Sequence, residues 1–140
     1  MSSVDEAAPL SEEDDRFTAD DMPPGMASFT FVLLRRPENA PDLPDEELDR
    51  LQAGHLAHLD RYRADGSIAA AGPFSDQSDP RLRGIELWTL PVDEVRTRCQ
   101  EDPSVQAGRL EKLVMRWWFR VADLPITPSP VGTPRPDAGS

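Results

Sequence analysis

The sequence predicts an α+β fold: a four-stranded antiparallel sheet with two helices, in the order β-α-β-β-α-β. Three observations carry this prediction. The stretch from Pro44 to Gly66 has the period of a single amphipathic helix. The segment from Arg109 to Val121 alternates with the period of a strand. Around them, short apolar runs are bounded by Pro and Gly, and a second helical pattern follows Pro91.

The first strand is Ser28 to Arg35, continuously apolar from Phe29 to Leu34 apart from Thr30, as suits a strand covered on both faces. A Pro-rich loop leads from it to the long helix. There Leu48, Leu51, His55, Leu59 and Tyr62 fall within one narrow sector, with His58 at its margin and Leu56 well outside. Pro44 suits the first helical turn, because the amide hydrogen it lacks would be unpaired there. Asp45, Glu46 and Glu47 place negative charge at the positive end of the helix dipole. Gly66 ends the helix, since it takes left-handed backbone without steric cost. Ser67 to Ala71 is a second, shorter strand, stopped by Gly72-Pro73, and Phe74 to Pro80 is turn chemistry throughout. Gly84 to Leu90 is the third strand, with Ile85, Leu87 and Thr89 on one face and Glu86 and Trp88 on the other. Pro91 opens the second helix, which buries Val92, Val95 and Cys99 and ends near Asp102, because Pro103 disfavours helical backbone before it. Ser104 to Gly108 is a short connector, either irregular or a single helical turn. In the last strand Leu113, Met115, Trp117, Phe119 and Val121 face one way, and Lys112, Val114, Arg116, Trp118 and Arg120 the other. This is the ferredoxin-like split arrangement, with both helices on one sheet face. Every strand carries apolar residues on both sides, and two small helices cannot cover both. A second copy of the chain is the simplest cover, so the pattern predicts a homodimer.

The formal charge of −11 is unevenly placed. Residues 1–26 hold eight acids and one base, leaving −4 for the rest. That segment is expected to be a disordered acidic tail, with Phe17 as the centre of any short docking motif. Residues 27–124 are the expected folded domain, and 125–140 a Pro-rich disordered tail. The folded region has no basic stripe, which argues against nucleic acid. No apolar run reaches the ~20 residues of a membrane span. The acidic N-terminus is unlike a signal peptide, and the single Cys99 allows no internal disulfide; both point to the cytoplasm. Within a helix, Cys99 reads as a small packed side chain rather than a reactive thiol.

Four stretches, FVLLRRPENAP, HLAHLDRYRADGSIAAAGPF, RGIELWTL and EDPSVQAGRLEKLVMRWW, together resemble the YciI-like (YCII-related) family from about Phe29 to Trp118. The most specific pieces are H-L-x-x-L followed by A-G-P, and D-P-x-V-x-A-G. The resemblance implies a ferredoxin-like fold assembled as a dimeric α+β barrel. It also implies an active-site pair, a histidine on the first long helix and the aspartate of the D-P motif, here His55 and Asp102. Some members are dehydrochlorinases of chlorinated hydroxyquinone-type aromatics, and the wider superfamily includes muconolactone isomerases and small monooxygenases.

On physical grounds, a histidine within an apolar stripe must hydrogen-bond something. His55 is therefore either a satisfied core residue or half of a proton-transfer pair. In the second case Asp102 fixes the tautomer and leaves the other ring nitrogen to move a proton. Asp102 has its own plainer reading, a local turn bond before Pro103. Gly72, Pro73, Phe74 and Trp88 are the candidate substrate-binding wall, although Gly72-Pro73 also reads as an ordinary strand end. Trp88, Trp117 and Trp118 either line an aromatic cavity or pack in the sheet and interface. Arg35 and Arg36 either recognise an anionic substrate or mark a solvated strand end. His55 and His58 have no third ligand in view, so no metal is expected, and no cofactor fingerprint is present. The expected function is cofactor-free acid–base work on a small molecule, of isomerase, lyase or dehydrochlorinase type. The rival is a ligand-binding or accessory module whose tails meet a protein partner.

Overall fold

A computed structural model describes residues 22–128. Its elements follow the predicted order: β1 (Met26–Arg35), α1 (Asp45–Ala64), β2 (Ile68–Pro73), β3 (Leu82–Trp88), α2 (Val92–Cys99), α3 (Pro103–Gln106) and β4 (Glu111–Arg120), with a final 3-10 turn at Val121–Asp123. Most of both expected tails, including Phe17, lies outside the described residues. The described chain falls into two units. Residues 28–117 form the larger and carry the site. In the smaller, residues 22–27 and 118–128, the Val121 N–H donates to the Gly25 carbonyl at 3.0 Å.

The sheet order is β2-β3-β1-β4, with β3 antiparallel to both β1 and β2. Thr30 pairs with Trp88 and Val32 with Glu86, so these side chains share one face. Tyr62 and Leu59 of α1 and Val95 and Cys99 of α2 close over Val32, Leu34, Ile68 and Trp88 to make the core. Each such buried apolar side chain contributes about 1.5–3 kcal/mol. The opposite face carries Phe31, edge-on to Trp117 at 6.2 Å, and Met115. No helix among the described residues is long and apolar enough to cross a membrane.

Element ends differ from expectation for identifiable reasons. Pro44 and Pro91 stand one place before their helices: each carbonyl accepts the first intrahelical hydrogen bond, from Leu48 and Val95, while its own backbone is extended. β2 runs on through Gly72-Pro73 instead of stopping there. It is an edge strand, where a residue without an amide hydrogen is tolerated. The ladder slips between Ile68 and Ala70, which turns Ala71 to the helix-covered face beside Glu86. β4 starts at Glu111 because the Arg109 and Leu110 N–H groups both turn back to the Ser104 carbonyl.

Candidate functional site

Two neighbouring dipeptides bring the site together. Gly54, just before His55, lies where α1 meets α3. A Cβ there would stand 2.8 Å from Cγ of Pro103, which directly follows Asp102. Only a residue without a side chain allows this approach. Ser104 Oγ donates to the Leu51 carbonyl at 3.3 Å and ties the same two elements.

His55 Nδ1 then lies 2.6 Å from Asp102 Oδ2. A carboxylate can only accept, so Nδ1–H donates and Nε2 carries the lone pair. The other oxygen, Oδ1, accepts from the Ser104 N–H at 2.9 Å and caps α3. Lys112 of β4 reaches the same buried spot. Its Nζ is 3.0 Å from Asp102 Oδ2 and 2.8 Å from Glu86 Oε2, contacts that are ionic rather than well-aligned hydrogen bonds. Glu86 Oε1 accepts from Trp88 Nε1 at 2.9 Å. The Lys112, Asp102 and Glu86 side chains are 1% exposed or less, whereas His55 keeps 12%.

Burial pushes the Asp102 carboxyl up, but the His55 hydrogen bond and the Lys112 ammonium outweigh it and hold the group well below the usual carboxylate range. Burial likewise opposes the Lys112 charge, and Glu86 and Asp102 reverse that and raise its pKa. The cluster carries one net negative charge with His55 neutral and none with it protonated. Proton uptake at the imidazole therefore leaves a balanced set of charges.

A cavity of about 470 Å³ adjoins His55. Leu34, Leu51, Leu59 and Leu110 supply much of its apolar wall, and Gly72 and Pro73 border it at the end of β2. The helical stripe read from the sequence thus divides. Leu48, Leu51 and His55 face the cavity, while His58 and Tyr62 pack in the core. Trp88 is fully buried between Tyr62 and His58, with ring centroids at 5.2 and 6.3 Å, and does not line the cavity; neither does Phe74 or Trp117. Arg35 is held by Glu111 at 3.1 Å, whereas Arg36 borders the cavity. His58 is 7% exposed, and burial followed by the nearby Lys112 charge lowers its pKa, so it sits neutral in the core, away from any shared site with His55. Among the described residues no three of His, Cys, Asp and Glu are grouped to hold a metal. Sequence reasoning missed the parts played by Glu86 and Lys112. The signal was present: strand alternation puts Glu86 beside Trp88, and Lys112 beside Val114, on the face the helices cover.

The family model for the YCII-related domain matches residues 29–118. The chain belongs to the YCII-related family. Among solved structures, this YCII-related chain is similar to 5-chloro-2-hydroxyhydroquinone dehydrochlorinase (TftG) from Burkholderia phenoliruptrix AC1100, in complex with 2,5-dihydroxybenzoquinone. The two are 28% identical over 63% of this chain and 92% of that one, with a TM-score of 0.40. A search of the curated proteins finds no match to this YCII-related sequence.

Proposed function

We propose that this YCII-related protein binds a small molecule in the cavity beside His55 and carries out acid–base chemistry on it with its own side chains. One observation carries the reading: a buried, ionised carboxylate lies 2.6 Å from an imidazole on a cavity wall. His55 Nε2 takes a proton from an acidic carbon or hydroxyl of the bound molecule. The electron pair left behind either expels a leaving group such as chloride or is reprotonated elsewhere, giving elimination or isomerisation. Asp102 holds the imidazole in the working tautomer and stays ionised throughout. Lys112 keeps Asp102 charged and in place, and Glu86 helps to keep Lys112 charged. The assembly proposed with this reading is a homodimer, in which a second copy covers the sheet face carrying Met115 and Trp117, 43% and 39% exposed.

The test uses the full chain in D2O with a panel of chlorinated hydroquinones and small enolisable carbonyl compounds. Deuterium uptake and chloride release are measured. We expect turnover of at least one compound, and a loss of ~10² or more in His55→Ala with the circular dichroism unchanged. No turnover, together with a His55→Ala variant that only melts lower, would return the protein to a non-catalytic ligand-binding module.

A further inference from the structure

Seven arginines of the described chain lie within 4 Å of a carboxylate, Arg35 on Glu111 and Arg98 on Glu94 among them. Outside β4, the described arginines without such a partner are Arg36, Arg83 and Arg109, and all three border the His55 cavity. Arg83 and Arg109 are positioned without being neutralised: their guanidiniums donate to the backbone carbonyls of Pro80 at 2.8 Å and Pro41 at 2.9 Å. Arg36 follows β1, and its N–H donates to the Arg81 carbonyl at 2.8 Å, which fixes it near Arg83 at the start of β3. Arg83 and Arg109 are close enough for both charges to act on Arg36. Burial and then the charges of Arg83 and Arg109 lower the Arg36 pKa from its ordinary value.

The other charges on the cavity wall do not cancel this excess. Glu86 and Asp102 share Lys112, which leaves one net negative charge in that buried cluster, and Arg63 is paired with Asp60. Asp49 is the other acid on the wall, so the three guanidiniums without a carboxylate partner still outnumber the negative charge near them. Among the described residues acids outnumber bases, yet no carboxylate stands within 4 Å of these three. Like charges gathered without counter-ions destabilise the empty protein, and an entering anion relieves them. A guanidinium also offers a planar fork that matches a carboxylate in two-point contact.

We propose that the cavity selects a small organic oxyanion, an apolar skeleton bearing a carboxylate or phenolate held by Arg36, Arg83 and Arg109, with its body against Leu34, Leu51 and Leu59. The inference names the substrate class for the proposed acid–base site and rests on that reading for the chemistry, though not for the binding.

Calorimetric titration of the full chain with benzoate and with benzamide, its neutral counterpart, tests it. We expect benzoate to bind at least tenfold tighter than benzamide, with an affinity that falls as salt is raised. Arg36→Gln and Arg83→Gln should each weaken benzoate tenfold or more, leave benzamide unchanged and keep or raise the melting temperature. Arg36→Lys, which keeps the charge, should retain more benzoate affinity than Arg36→Gln. Equal binding of the two probes, no benzoate binding at millimolar concentration, or wild-type benzoate affinity in both Gln variants would overturn the anion site. His55→Gln separates this proposal from the reading beneath it. Benzoate binding kept with turnover lost supports both; benzoate binding kept with turnover intact leaves the anion site standing and removes His55 from the chemistry.

Discussion

Asp102 serves two structures with its two oxygens. Oδ1 caps α3 through the Ser104 N–H, and Oδ2 meets His55 and Lys112. The plain turn bond expected of an Asp before Pro and the pairing with His55 are therefore both present, and the first helps to aim the second. Lys112 makes this burial tolerable. Replacing it by Met would leave two carboxylates buried without their cation, which should cost about 3–5 kcal/mol in urea unfolding; a loss under about 1 kcal/mol would show that the ion pairs contribute little. The pH dependence follows from two lowered pKa values. Asp102 stabilises fully above its ordinary 3.8 and loses that contribution as pH falls below it. His58 is buried neutral, so its contribution is full above 6.5 and erodes as pH falls through that value. Stability should therefore decline from neutral pH downward, and His58→Phe should flatten the upper part of the decline, read from urea midpoints. Equal wild-type stability at pH 7 and pH 5 would contradict the His58 assignment. Cys99 is 1% exposed, and burial pushes its thiol up to about 12. It should resist an aromatic disulfide reagent at pH 8 until the protein is unfolded, whereas rapid native labelling would place it at the surface. At this scale His55 stood out in the apolar stripe, but its pairing with Asp102 was legible only through the resemblance, since no local pattern links residues 47 positions apart. Glu86 and Lys112 were given no role because, in a strand, a charge on the covered face looks like a charge on the open one until its partner is known.

Among the elements, α1 carries most of the design. Its stripe was plain from the period, but not its division into a cavity-facing half and a core half, which depends on where α3 touches it. Gly54 decides that contact and was invisible as a signal, because a glycine inside a helix shows only as a small loss of propensity. On an exposed face Gly→Ala would stabilise a helix by up to about 1 kcal/mol. Here the new methyl would meet Pro103, so Gly54→Ala should destabilise by about 1–3 kcal/mol in denaturant unfolding. A stabilised variant would mean that α1 and α3 are not in close contact. The extension of β2 through Gly72-Pro73 was hidden for a related reason: proline stops a central strand but not an edge one, and edge position is a property of the sheet order.

For the whole molecule, the order of elements and the two-sided apolar patterning of the strands were enough to give the ferredoxin-like architecture. The sheet face with Phe31 and Met115 is the one opposite the helix-covered core, and Met115 on it is 43% exposed. Light scattering on an eluting size-exclusion peak should give twice the chain mass at micromolar concentration, and Trp117→Glu should shift it to the chain mass; a wild-type monomer would count against the proposed assembly. The central claim concerns one imidazole held by one buried carboxylate beside a space a ligand can enter. It is tested most directly by the side-chain nitrogen NMR spectrum of His55 in the full chain, wild type against Asp102→Asn. The predicted result is that whenever the ring carries a single proton it sits on Nδ1, with the lone pair at Nε2, a preference weakened or lost in the variant. A ring protonated at Nε2, or one indifferent to the substitution, would contradict it.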